Sequence, residues 1–261
     1  MTTGEKLYCK AILKPNYDVS LIVKGRGHFY RVIKDGVETI LPGVTGTLGI
    51  IGGDKTNKLI GWAKKETLNK VRRELMSLGA SPVILEPATV EGIIERSKKE
   101  SGKVLDAAAD YGTRLHSYAD SVIKGLEVTP EDDLIHSVLA FRDWFKASGI
   151  EVVLGDTAVA SLEHGYGGKF DAIGYKDGQL GVIDFKTSNY MHAESCLQAA
   201  AYGVAAEATF SAQFKWGLIV RFDKTAPVYE AKYVQSMSRS FEGFLAAKSL
   251  KANLAQEHYA E

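Results

Sequence analysis

The stretch "FDAIGYKDGQLGVIDFKTS", residues 170 to 188, decides the reading of this chain. Asp177-Gly178 is the strongest short-range signal for a two-residue hairpin loop, and apolar residues flank it on both sides. With those two residues as the loop, Asp171 falls directly opposite Asp184. Strand alternation then puts Lys186 on the same face, two residues beyond Asp184.

The rest of the hairpin is apolar on both faces, with Ile173, Tyr175, Leu180 and Val182 beside the aspartates and Phe170, Ala172, Ile183 and Phe185 opposite. That pattern suits strands covered on both sides. Like charges placed opposite each other in a sheet repel, and burial adds to the cost unless a cation lies between them or one is protonated. A divalent metal resolves the conflict. Hard carboxylate oxygens suit Mg2+ or Mn2+, which keep several waters and accept phosphate oxygens as further ligands.

The spacing D-x12-D-x-K, carried by "GKFDAIG" and "VIDFKTS", resembles the PD-(D/E)XK nuclease superfamily, and is most similar to its RecB-type exonuclease branch. That branch includes the mitochondrial genome maintenance exonuclease, CRISPR-associated RecB-type nucleases and many phage exonucleases. Companion motifs carry the resemblance from about Tyr30 to Ala206. Gln198 and Tyr202 in "CLQAAAYGVAAE" match the branch's Q-x-x-x-Y element. Gly112 and His116 in "YGTRLHSYAD" match its G-x-x-x-H element, whose histidine supplies a metal ligand. "ILPGVTGTLGIIGGDKTNKLIGWAKKE" is similar to its strand-and-helix lead-in.

Departures from the pattern are specific. Where the branch commonly has a glutamate fifteen residues before the first aspartate, this chain has Asp156, and Gly43 and Gly46 stand in place of the usual Ser and Thr. The iron-sulfur members need four cysteines, and this chain has two, Cys9 and Cys196, so no cluster is expected.

The resemblance implies an α/β, restriction-endonuclease-like core, built as helix, three strands, helix and strand. Periodicity reaches the same order separately. Residues 104–124 read as a long helix ended by Gly125, and "TPEDDLIHSVLAFRDWFKASG" as a helix capped by Thr129 with Pro130 at its first position. Residues 150–163, 165–175 and 180–188 read as three strands, and "FKWGLIVRF" as a fourth after an intervening helix. Upstream, a hairpin around Asp35-Gly36 precedes helices at about 55–78 and 88–99. One nuclease domain over residues 1–261 is expected: an N-terminal hairpin and helical elaboration (1–100), a catalytic core (101–225), and a C-terminal strand and helix (226–261).

Composition bounds the rest. The chain's 261 residues are 45% hydrophobic, enough for a sizeable core. Lys+Arg 32 balances Asp+Glu 32, so any nucleic-acid contact must be local. The candidate DNA-binding surface is the run Lys55, Lys58, Lys64, Lys65, Lys70, Arg72 and Arg73; its other reading is a solvated helix face. Trp62 and Trp144 are either stacking platforms or core. Glu151, Glu163, His164 and His192 lie near the motifs without an assigned role. The first residues lack an apolar signal core, no segment approaches a membrane span, and two cysteines make no disulfide framework. A cytoplasmic protein, bacterial or from a phage-infected host, is expected, with no membrane partner.

In the mechanism these residues imply, Asp171 and Asp184, with the Phe185 carbonyl and His116, hold one or two Mg2+ or Mn2+ ions on a scissile phosphate. Lys186 orients water or stabilises developing charge, with Gln198 near the site and Tyr202 as support or DNA contact. The expected activity is a DNA exonuclease acting on single strands or duplex ends, in replication, recombination or end-processing. Two other readings stand beside it: a structure-selective or flap endonuclease, and a catalytically silent DNA-binding scaffold.

Overall fold

The structure, a computed structural model, describes residues 13–25, 27–51, 53–79 and 85–256, with the backbone alone described at 53–59 and at 101. It is α/β, with a three-stranded antiparallel sheet, a five-stranded mixed sheet and flanking helices. The chain divides into two compact units. The smaller comprises Gly52–Thr113, and the larger holds the described residues on either side of it. The N-terminal hairpin thus belongs to the same unit as the five-stranded sheet.

In the larger unit, β1 (Asp18–Lys24), β2 (Gly27–Lys34) and β3 (Val37–Pro42) form a meander. Asp35 and Gly36 turn β2 into β3 with positive φ at both positions, 52° and 79°. Asp177 and Gly178 repeat the device at 48° and 77°. Two consecutive positive φ values give the turn twist that matches paired strands, and Asp-Gly is a pair that tolerates it. A short helix, α1 (Val44–Leu48), follows β3.

The five-stranded sheet runs in the order β4 (Glu151–Ser161), β5 (Tyr166–Lys176), β6 (Gln179–Lys186), β7 (Phe214–Phe222), β8 (Tyr229–Tyr233). Only β6 and β7 are parallel. Their crossover is α6 (Glu194–Phe210), whose Ala199, Ala200, Ala201, Ala205 and Ala206 are all fully buried. Small side chains let this helix lie close to the sheet. Its core partners include Val159, Tyr166, Phe170, Val182 and Ile219, joined by Phe244 of α7 (Met237–Leu254). A second cluster is aromatic: Phe141 and Trp144 of α5 (Ile135–Ala147) meet Phe185 at centroid distances of 5.6 and 5.3 Å, and Phe222 closes it. Burying each such ring contributes roughly 1.5–3 kcal/mol. Trp144, 2% exposed, is core and no stacking platform.

The start of α5 departs from expectation. Thr129 does not cap it; a 3-10 turn at Asp132–Leu134 comes first, and the helix begins at Ile135. The acids that would have lined a first helical turn are committed elsewhere, Glu131 and Asp133 both binding the Arg114 guanidinium at 2.5 and 2.6 Å.

The smaller unit contains α2 (Gly53–Ser77), α3 (Pro87–Lys98), with Pro87 in its first turn, and the beginning of α4 (Glu100–Ile123). Ion pairs Arg96 to Glu74 (2.6 Å) and Arg73 to Glu100 (2.9 Å) tie its helices together. Among the described residues no helix is long and apolar enough to cross a membrane.

Candidate active site

Pairing between β5 and β6 follows the expected register, from Lys176 with Gln179 to Ala172 with Ile183. It stops one step short of Asp171 and Asp184. There a side chain replaces the ladder: Asp171 Oδ2 accepts the Phe185 backbone N–H at 2.6 Å. Phe185 therefore enters the site through its N–H, a role that the sequence reading did not include. On the other side, Asp171 Oδ1 lies 2.5 Å from His116 Nδ1, brought in by the later part of α4.

Asp184 is 4% exposed, and its Oδ2 sits 2.5 Å from Lys186 Nζ. The contact lacks hydrogen-bond alignment, so this buried oxygen has no hydrogen-bond partner. Lys186 instead donates to Gln198 Oε1 at 2.9 Å. The Gln198 amide, in turn, donates to Tyr202 Oη at 2.7 Å and to Thr45 Oγ1 at 3.3 Å. Helix α6 thus positions the lysine through one amide that is itself fixed at its other end.

Tyr202 is 4% exposed, with its hydroxyl on the Gln198 amide. Its room comes from Gly168, where an added Cβ would lie 2.4 Å from the ring. The doubled glycine before the first aspartate is explained by packing: Gly167 lies as tightly against Tyr30. Thr45 was not singled out from sequence, although it sits in the quoted lead-in.

The electrostatics follow from burial and neighbours. Burial works against the ionised form of Asp171, but His116, Lys186 and the Phe185 N–H outweigh it and hold the carboxyl below its ordinary value. Asp184 goes the other way. Burial raises it, the Asp171 charge adds to the rise, and Lys186 only partly compensates. Burial alone would lower both cations, yet the carboxylates hold His116 and Lys186 above their usual values.

Asp156 is not brought into this cluster. It has a positive φ of 34°, is exposed, and pairs with Lys169 at 2.6 Å. Of the basic run, Lys64, Lys65, Arg72 and Arg73 are exposed on α2; Arg73 is paired with Glu100, and Lys70 with Glu74. The side chains of Lys55 and Lys58 lie outside the described residues, as does Cys9. His164 packs edge-on against Phe241, and the His192 ring lies tilted against Tyr190.

Among the described residues no group of three or more His, Cys, Asp or Glu side chains is arranged to hold a metal. His116, Asp171, Asp184 and Lys186 are paired with one another. The donor chemistry nevertheless fits a hard divalent ion: two carboxylates at one end of a hairpin, one with a buried oxygen that lacks a hydrogen bond, meet the need of Mg2+, which takes one or two protein carboxylates and fills its shell with water and phosphate.

No family profile matches the chain, and no curated protein matches it. Solved structures do match, among them the crystal structure of SSO0001, at 16% identity over 80% of this chain and 89% of that one, with a TM-score of 0.34. A likeness of that grade carries no argument about function.

Proposed function

We propose that this chain is a divalent-metal-dependent deoxyribonuclease that hydrolyses phosphodiester bonds, acting as an exonuclease on single-stranded or duplex ends in replication, recombination or repair. The observation that carries the reading is a part-buried Asp171 and a buried Asp184 gathered with a lysine that pairs with Asp184 and is held in place by Gln198. A salt bridge at a strand end would need one carboxylate. Two of them, one with its ionised form disfavoured first by burial and then by the other carboxylate, suit a site for a further cation.

Asp171 and Asp184 would hold the metal, with His116 as a further ligand once it has left Asp171. A bound Mg2+ or Mn2+ supplies Lewis acidity toward a phosphoryl oxygen and a lowered water pKa. The chain's residues do the rest. Lys186, kept protonated by its carboxylate neighbours, faces developing negative charge as a fixed donor. Gln198 holds that ammonium in one position, and Tyr202 and Thr45 hold Gln198. The Phe185 N–H orients Asp171 before any ligand arrives. On this reading the five-stranded sheet with α6 is a restriction-endonuclease-like core, and the exposed bases of α2 are candidates for backbone contact with DNA.

The test is direct. Wild type and Asp184→Asn are incubated with end-labelled linear and with circular single-stranded DNA, with Mg2+ or Mn2+ and with chelator. Metal-dependent shortening that spares circles and disappears in the variant supports the proposal. Cut circles would replace it with an endonuclease, and binding without cleavage under any metal would leave a silent scaffold.

A further inference from the structure

The loop from Thr187 to Ala193 joins two elements that supply the candidate site. At one end is Lys186, and at the other is α6, whose Gln198 receives the Lys186 ammonium at 2.9 Å. On this closed loop Tyr190 is 51% exposed, although it carries a large aromatic ring. Its ring lies 4.5 Å from that of His192, at an interplanar angle of 49°. The loop is held from within: Ser188 Oγ donates to the Tyr190 carbonyl at 2.8 Å, the Ser195 N–H donates to the His192 carbonyl at 3.1 Å, and His192 Nδ1 lies 3.8 Å from Glu194. Four residues span at most about 14 Å, so the Tyr190 main chain lies no farther than that from the main chain of Lys186.

An exposed tyrosine backed by a second ring, in a loop with its main chain tied down, presents a flat face whose ordering cost is largely met before binding. Nucleobases stack on such faces without regard to sequence. We infer that Tyr190, supported by His192, is a stacking platform for a base of the strand whose phosphate occupies the Asp171, Asp184 and Lys186 site. This rests on the nuclease reading and adds a positioning element to it. Tyr190 touches the substrate strand but not the reacting atoms, so its loss should weaken binding while leaving the chemical step intact.

The experiment uses the full chain and a single-stranded oligonucleotide with 2-aminopurine at successive positions from its end, with Mg2+ for cleavage and Ca2+ for binding. Wild type, Tyr190→Ala and Tyr190→Phe are compared, with thermal melts to show that each is folded. Stacking on one aromatic makes a base-sized contribution, so Tyr190→Ala is expected to raise KM about 5- to 150-fold with kcat within about threefold. It should also abolish a position-specific 2-aminopurine quench that Tyr190→Phe retains. Unchanged KM and quench, with cleavage intact in wild type, would overturn the platform and leave the nuclease standing. A fall in kcat with KM unchanged would also overturn it, because Tyr190 would then be shaping the loop around Lys186. Absence of both binding and cleavage in the wild type would remove the nuclease reading and the platform with it.

Discussion

Asp171 accepts the backbone N–H of Phe185 at the step where the β5–β6 ladder ends. One carboxylate therefore satisfies a buried main-chain donor and also belongs to the charged cluster, so the two roles can be separated by substitution. Asp171→Ala orphans the Phe185 N–H beside a side chain that is 1% exposed, a loss of about 1–3 kcal/mol. Asp171→Asn keeps an acceptor oxygen and is expected to melt close to wild type while losing nuclease activity. Thermal melts and end-labelled DNA cleavage on the two variants check this. An active Asn variant would remove Asp171 from metal binding.

Lys186 and Gln198 act as one unit, since the amide's oxygen receives the ammonium and its nitrogen is held by Tyr202 and Thr45. Lys186→Ala is expected to lower kcat by about 10²- to 10³-fold, the cost of losing one electrostatic contact to the transition state. Gln198→Ala should cost less, because the ammonium keeps Asp184. The double variant should be no slower than Lys186→Ala alone, as residues coupled through one contact are not additive. Additive losses in kcat would show that Gln198 has an independent role.

Much of this site is legible in the sequence because its decisive feature is local. Asp177-Gly178 sets a two-residue turn, the turn sets the register, and the register brings Asp171 to Asp184. The strand FKWGLIVRF is observed at its expected bounds. What escapes is long-range. Thr45 reaches Gln198 across 153 positions, and nothing in its immediate neighbours announces the contact. The early part of α5 was misread for a related reason: Glu131 and Asp133 look like helix-start acids until Arg114, on another helix, is brought to them. Asp156 is a candidate only through the family's glutamate position fifteen residues before the first aspartate, and in the structure its carboxylate pairs with Lys169 at a residue of positive φ. Strand β1 also went unread, since its pairing with β2 leaves Val23 60% exposed and blurs the alternation.

Gly168 makes a further test of how the site is supported. A methyl group there would lie 2.4 Å from Cε1 of Tyr202, far inside van der Waals contact, and the ring must shift. Overpacking of this kind costs about 1–3 kcal/mol. The shift also withdraws the Tyr202 hydroxyl from Gln198, so Gly168→Ala should lower kcat while leaving Asp171, Asp184 and Lys186 in the sequence. The pair Gly168→Ala with Tyr202→Phe discriminates: if the hydroxyl is what matters, Tyr202→Phe alone reproduces the fall in kcat without the loss of melting temperature.

Acid stability depends on a carboxylate away from the Asp171–Asp184 cluster, in the turn between β7 and β8. Asp223 Oδ1 accepts the Thr225 N–H and hydroxyl, both at 2.9 Å, and the Ala226 N–H at 3.2 Å, while Oδ2 meets Arg221 at 3.1 Å. The Thr225 backbone and hydroxyl donors, with Arg221, hold its carboxyl down to about 2 from an ordinary 3.8. The ionised form is the one the fold prefers, so its stabilisation is fully present above the unfolded-state pKa and is lost as pH falls from about 4 to about 2. Urea unfolding midpoints of wild type and Asp223→Ala should therefore differ most at neutral pH and converge across that acid window. Curves that stay parallel from pH 6 down to pH 2 would mean that the Asp223 charge contributes nothing.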